Sequence, residues 1–156
     1  MATFSPLKKA EREWIARHLE GLTFLIPSFA PEHANKPISL QTVDCLWDAW
    51  IATSPTETDE INAVINGVGV QFGQFLVDDA GFEWTIATDE FGTDLGVRAL
   101  PDRADVLVYP ANFVSKRWER RETGFLAAAF DAIVEQVGVI KADLEAHPKK
   151  PWWRFW

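Results

Sequence analysis

The sequence predicts an α+β protein in which several helices pack on a small three-stranded antiparallel sheet. Apolar residues recur at helical spacing before residue 80 and after residue 110, whereas between residues 82 and 109 they alternate with polar residues. Because 47% of the 156 residues are hydrophobic, the chain has enough apolar surface for one core. We therefore expect a single domain over residues 1–156, with helices before and after the sheet.

Three helices are expected before the sheet. The first begins at Ser5-Pro6, since serine caps a helix well and proline is tolerated in its first turn, and it ends at Pro27. The second begins at Ser39. The third begins at Ser54-Pro55-Thr56-Glu57, which has the form of a capping box with proline at the first helical position, and it ends at Gly81.

Three glycines lie inside the third predicted helix, at Gly67, Gly69 and Gly73. Each costs about 1 kcal/mol relative to alanine in a helix interior, so something must compensate. We expect another element to approach the helix closely there. The alternative is a flexible helix or one approached by a ligand.

The sheet is expected to begin with a hairpin. Phe82, Trp84 and Ile86 alternate with polar or small residues, and the turn-rich segment Asp89–Thr93 leads into a second alternating run at 95–99. The β-branched run at 106–109 makes a third strand. The links are too short for crossover helices, which favours an antiparallel meander.

Two helices and an aromatic tail are expected after the sheet. Pro110 opens a short amphipathic helix, and a longer one runs from Leu126 to His147. The tail at 148–156 contains four aromatic side chains, which would form an exposed apolar patch if they stayed in water. We expect the tail to dock on its own domain, on a second copy in a homodimer, or on another protein partner.

Charge and composition exclude several classes of function. The net charge of −8 argues against nucleic-acid binding, and we expect no membrane segment because no apolar run is long enough. Cys45 is the one cysteine, so no internal disulfide can form, and we expect a cytoplasmic protein with a buried, inert thiol. The three histidines have no metal-ligand spacing, so neither a metal site nor a cofactor is predicted.

Several motifs in the middle of the chain resemble one known family. They are Gly69-Val70-Gln71-Phe72-Gly73, Glu83-Trp84, Asp89-Glu90-Phe91-Gly92-Thr93-Asp94-Leu95, Val97-Arg98, Val108-Tyr109-Pro110 and Val114-Ser115-Lys116-Arg117-Trp118-Glu119. Over residues 60–130 this series is similar to the bacterial family called domain of unknown function 3806. The resemblance implies a small bacterial protein or module and assigns neither an activity nor a catalytic residue.

Two charged clusters are candidate binding regions. The acidic cluster surrounds the hairpin, where carboxylates are typical of solvated turns but could also bind a cation, act as an acid and base, or pair with the basic residues. The basic cluster lies on and near the short helix, where it could dock on the acidic sheet, bind an acidic protein or hold a phosphorylated ligand. The candidate binding residues, with the hairpin and tail tryptophans, are Glu83, Trp84, Asp89, Glu90, Asp94, Arg98, Lys116, Arg117, Arg120, Trp152, Trp153 and Trp156.

The function remains unknown from sequence, and three hypotheses stay open. The leading one is a non-enzymatic protein-binding module, because no catalytic set of residues is evident while charge is unevenly distributed and aromatic residues are abundant. The second is a hydrolase that uses Glu83 or Asp89 with Arg98 on an anionic substrate. The third is a small-ligand carrier with an enclosed apolar cavity lined by Trp84 and the third helix.

Overall fold

A computed structural model describes residues 2–147, and the aromatic tail at 148–156 lies outside the described residues. The elements in chain order are β1 (Thr3–Ser5), α1 (Lys9–Phe29), a 3₁₀ turn (Pro31–His33), α2 (Leu40–Ile51), α3 (Thr58–Ala80), β2 (Glu83–Asp89), β3 (Gly92–Ala99), β4 (Val106–Val108), α4 (Pro110–Glu119) and α5 (Leu126–Ala146). The predicted α+β class is confirmed, with helices on both sides of the β segment in the chain.

The sheet has four antiparallel strands in the order β1-β2-β3-β4, not the three predicted. The added strand is β1, where Thr3 pairs with Thr88 and Ser5 with Ile86. A strand of three residues is too short to show an alternating pattern, and it forms because the edge of β2 offers free backbone groups. The predicted meander over β2, β3 and β4 is confirmed.

The predicted ends of the first helix were wrong. Ser5 belongs to β1, and α1 begins only at Lys9, with Lys8 as an extended N-cap that makes no side-chain cap. Pro27 lies inside α1, which continues to Phe29. A proline near the end of a helix removes one hydrogen bond without breaking many, and the Ala30 N–H closes the last turn on Ile26 O at 2.7 Å.

The capping box lies on a different helix from the one predicted. Ser39 starts α2 as expected, and its Oγ accepts a hydrogen bond from Thr42 N at 3.2 Å while Thr42 Oγ1 accepts from Ser39 N at 3.1 Å. By contrast, α3 begins at Thr58, and its N-cap Glu57 makes no side-chain cap. Gly81 ends α3 as predicted, in the left-handed conformation that glycine favours.

Tryptophans supply the centre of the core. Trp47 and Trp50 of α2 are fully buried, and Trp118 of α4 and Phe125 pack on the indole of Trp47. Trp47 Nε1 donates a hydrogen bond to Glu122 O at 2.8 Å, so its buried N–H is satisfied. The link between α4 and α5 is thereby held against α2.

Helices α3 and α4 approach each other closely at two of the three glycines. A Cβ at Gly69 would lie 2.7 Å from Ala111 Cα, and one at Gly73 would lie 2.9 Å from Pro110 Cγ at the start of α4 and 2.5 Å from the ring of Trp84 in β2. At Gly67 the same atom would meet ordinary contacts of 3.5 Å or more. The predicted close approach is confirmed at Gly69 and Gly73, where it brings the start of α4 against α3.

Candidate functional site

The turn between β2 and β3 holds acidic side chains in fixed positions. Asp89 pairs with Gly92, so the turn has two residues, and Asp89 Oδ1 accepts a hydrogen bond from Phe91 N at 2.8 Å. Gly92 has a φ of 135°, which a residue with a side chain rarely adopts. Asp94 follows on β3, and its Oδ1 accepts from Leu95 N at 2.8 Å.

The start of α4 lies beside this turn. Tyr109 and Asn112 line a depression of about 260 Å³ together with Asp89, Thr93 and Asp94. The contact of Gly69 with the Pro110-Ala111 backbone sets the position of α4, so the packing of α3 determines where Tyr109 meets the hairpin.

A second depression shares the lining residue Asp94 with the first. It has a volume of about 420 Å³ and is lined by Glu11, Trp14, Asp94, Leu95 and Ala10. We call the two together the acidic groove, whose principal lining residues are Glu11, Trp14, Asp89, Asp94, Leu95 and Tyr109. Within residues 2–147, no lysine or arginine lines either depression.

The acidic groove combines negative charge with apolar surface. Burial raises the pKa of the Tyr109 hydroxyl above its ordinary value, and the nearby carboxylates of Asp89 and Asp94 raise it further. The two carboxylates therefore contribute a negative potential at the tyrosine hydroxyl, in addition to the effect of burial. Phe91, at the tip of the turn, is 90% exposed and leaves an aromatic ring at the rim. Such a groove is suited to binding a group that carries both positive charge and apolar surface.

The structure separates Glu83 and Arg98 from the groove. They pair across β2 and β3, with Arg98 Nη2 at 3.2 Å from Glu83 Oε1, and Arg98 Nη1 lies 3.5 Å from Asp105 Oδ1. The guanidinium also stacks 4.3 Å from the centroid of the Phe4 ring. Arg98 thus ties β1, β2 and the β3–β4 link together.

The hydrolase hypothesis combined Glu83 or Asp89 with Arg98, and the structure places Glu83, but not Asp89, beside that arginine. Glu83 and Asp89 stand at opposite ends of β2, so six residues, or about 20 Å at 3.3 Å per residue, separate them. A general acid and base must both reach one ligand position, directly or through a single water. Glu83 and Arg98 meet, whereas Asp89 lies too far along β2 to share a ligand position with them.

Trp84 fills space rather than lining a ligand cavity. Its ring packs against Gly73, and its Nε1 donates a hydrogen bond to Gln74 Oε1 at 3.1 Å. The depression that Trp84 does line has a volume of about 50 Å³, whereas ligand pockets usually measure about 300–1,000 Å³. Within residues 2–147, the depression lined by Trp84 and by Val70 of α3 is too small for the ligand of such a carrier.

The basic residues of α4 do not pair with the hairpin. Arg117 stacks 3.8 Å from the Phe113 ring centroid and lies 3.9 Å from Glu122, and Arg121 stacks 3.6 Å from the ring of Trp118. Lys116 and Arg120 are exposed. Among residues 2–147, no ion pair joins α4 to Asp89, Glu90 or Asp94. The remaining predicted binding residues, Trp152, Trp153 and Trp156, lie outside the described residues.

Sequence reasoning missed half of the groove. Glu11 and Trp14 come from α1, and Tyr109 and Asn112 from the start of α4, far from the hairpin in the chain. The motif Val108-Tyr109-Pro110 was the one available indication, because it belongs to the series that resembles a known family. A second group that sequence spacing did not reveal lies elsewhere, where Glu32, His33 and Cys45 meet.

The fold and its motifs define an α+β member of an uncharacterised family. Residues 43–130, more than half of the chain, match the family described as Domain of unknown function (DUF3806), and the protein belongs to that family. No curated protein and no solved structure shows significant similarity to the chain. None of the helices within residues 2–147 has the length and apolar character needed to cross a membrane.

Proposed function

We propose that this protein is a non-enzymatic interaction module whose acidic groove binds a protein segment carrying cationic and aromatic side chains. The observation that supports this most strongly is the composition of the groove lining, in which the acidic residues Glu11, Asp89 and Asp94 occur together with the apolar or aromatic residues Trp14, Leu95 and Tyr109. We further propose that it acts in the cytoplasm and does not bind nucleic acid, in keeping with a net charge of −8.

Charge and apolar contact would contribute differently to this binding. The carboxylates of Asp89 and Asp94 are exposed, so each ion pair with a partner would contribute about 0.2–1 kcal/mol and would weaken with salt. Trp14 and Leu95 are half-buried and offer surface for an aromatic ring, where most of the affinity would arise. Phe91 at the rim would pack over a bound side chain.

A segment with this chemistry exists in the chain itself, so a second copy can serve as the partner. The tail has the charge opposite to that of the groove, and a homodimer formed through it would place a tail in each groove. Its cationic and aromatic residues are Lys149, Lys150, Trp152, Trp153, Arg154, Phe155 and Trp156.

The test uses a labelled peptide of residues 148–156 and the full-length protein. To free the groove, the four aromatic tail residues of the protein are first replaced by serine, and peptide binding is then followed by fluorescence anisotropy. We expect saturable binding that weakens with salt. Asp89→Asn and Asp94→Asn should each reduce the affinity about twofold to fivefold, because each removes one exposed ion pair.

Asp131→Asn on α5 is the matched control, since it removes an exposed carboxylate remote in sequence from the groove. Loss of affinity in the groove variants with no change in the control supports the proposal. A peptide that fails to bind, or that binds equally to all variants, overturns it. Sedimentation of the unmodified protein then identifies the partner, since a dimer lost on tail substitution indicates a second copy.

A further inference from the structure

Three potential metal ligands meet where the 3₁₀ turn contacts α2. One ligand atom each of Glu32, His33 and Cys45 lies within 4.8 Å of the others, and His33 Nε2 is 3.9 Å from Glu32 Oε1. His33 and Cys45 are half-buried, and Glu32 is exposed. A half-buried thiol and imidazole beside an exposed carboxylate can enclose an ion without rearranging the backbone.

The distances fit a small tetrahedral site. With bonds of about 2.0–2.3 Å to oxygen, nitrogen and sulfur, the ligand atoms of tetrahedral zinc lie about 3.3–3.6 Å apart. The separation between any two of the three atoms would therefore have to decrease by at most about 1.5 Å, which small rotations of the three side chains can supply. A thiolate with an imidazole selects zinc over magnesium or calcium, which prefer oxygen ligands.

The backbone around these ligands is already fixed. His33 N donates to Ala30 O at 2.9 Å and Ala34 N to Pro31 O at 3.2 Å, which closes the 3₁₀ turn. The capping box of α2 begins six residues before Cys45 and fixes the start of its helix. Little conformational entropy would remain to be lost on binding an ion.

Neighbouring carboxylates add negative potential without competing as ligands. Asp44 Oδ1 accepts a hydrogen bond from Leu126 N at 2.9 Å, and Asp48 Oδ1 accepts from Gly124 N at 3.0 Å. Both carboxylates act on the Cys45 thiol electrostatically. They would favour a cation at Cys45 while remaining bound to the residues that begin α5.

We propose that Glu32, His33 and Cys45 bind one zinc ion, with a water molecule in the fourth coordination position. Binding releases the Cys45 thiol proton to solvent and leaves the thiolate, the Glu32 carboxylate and a neutral imidazole on the metal. The ion would tie the segment that follows α1 to α2. This site is independent of the acidic groove.

Cobalt(II) is the probe, because a thiolate ligand produces a sulfur-to-cobalt charge-transfer band and tetrahedral geometry produces intense visible bands. Metal-free full-length protein should bind one equivalent of cobalt with both signatures, and zinc should displace it. Cys45→Ser should abolish the charge-transfer band. His33→Gln and Glu32→Gln should each weaken zinc binding about tenfold or more, as measured by competition with a chelating indicator.

His147→Gln is the matched control, because this exposed histidine lies at the far end of α5 and near Asp143 rather than a thiol. Its zinc affinity should equal that of the unaltered protein. Far-UV circular dichroism and melting of each metal-free variant establish that the fold is retained. Absence of a charge-transfer band, or zinc binding that persists at equal affinity in Cys45→Ser, overturns the proposal.

Discussion

Replacing Gly69 by alanine tests the packing on which the groove depends. The new Cβ would lie 2.7 Å from Ala111 Cα and 2.9 Å from Ala111 N, both of which are backbone atoms that no side-chain rotation can move. Restoring an ordinary contact requires α3 and α4 to separate by about 1 Å, and overpacking of this kind costs about 1–3 kcal/mol. The upper part of that range applies, because the clash is with a helix backbone.

The higher helix propensity of alanine raises the free energy of unfolding and so opposes the effect of the clash. A control replacement is needed to separate the two effects. Alanine is favoured over glycine by about 1 kcal/mol in any helix interior, including that of α3. Gly21 of α1 is the matched control, because a Cβ there meets no atom within 4 Å. Gly21→Ala should raise the free energy of unfolding by about 0.5–1 kcal/mol. Gly69→Ala should lie about 2–3 kcal/mol below Gly21→Ala, since propensity cancels between them.

Urea unfolding followed by far-UV circular dichroism measures both variants, with equal denaturant slopes as the check on two-state behaviour. Gly69→Ala should also weaken the peptide affinity of the groove, because α4 carries Tyr109. If the two alanine variants are stabilised equally, α3 and α4 do not touch at Gly69 and the position assigned to Tyr109 is wrong.

Two further predictions concern titrating groups. Tyr109 is the one tyrosine, so its absorbance titration should show a pKa above the ordinary 10.0, and Asp89→Asn or Asp94→Asn should lower it. Because the folded protein holds this proton more tightly than the unfolded chain, the free energy of unfolding should fall as pH rises above 10.0, and a titration at the ordinary value would contradict the groove electrostatics. Asp44→Ala should lower stability by about 0.5–2 kcal/mol at neutral pH, because it leaves Leu126 N and Ala127 N uncapped. Burial raises the pKa of the Asp44 carboxyl, so its contribution should decrease as pH rises from 3.8 through the raised value, and a variant of unchanged stability would refute the cap.

Long elements with a periodic apolar pattern could be predicted from the sequence. Short elements that form through contact with a distant part of the chain could not. The apolar repeats of α2, α3 and α5 exceed two helical turns, and Gly81 marks the end of α3 by its backbone freedom. In β1 only three residues pair, and what makes them a strand is the edge of β2, some 80 positions away. Ser5-Pro6 looked like a helix start because local capping chemistry carries no information about that edge.

The glycines of α3 were informative because each one destabilises a helix by a known amount, about 1 kcal/mol relative to alanine. Three glycines in a helix predict a close neighbour, and the structure supplies one at Gly69 and Gly73. What the pattern could not indicate was which element comes close. The lining of the acidic groove depends on the identity of that element. Tyr109 reaches the hairpin because α4 begins against α3, and Trp14 reaches it because α1 crosses the same region.

The sequence also could not indicate which charges would remain unpaired. Basic residues outnumber acidic ones after residue 110, so mutual neutralisation with the hairpin was a reasonable expectation. In the structure Arg117 and Arg121 instead cover the rings of Phe113 and Trp118, and Arg98 is held at the far end of β2 by Glu83.

An aromatic core therefore has an electrostatic consequence at the surface. Aromatic rings near the surface attract guanidinium groups through their faces, and the stacked arginines also shield the rings from water. The two arginines used in this way, Arg117 on α4 and Arg121 just after it, are held away from the turn that carries Asp89 and Asp94, which keeps its negative potential. With these arginines held elsewhere, no lysine or arginine from residues 2–147 lines the acidic groove.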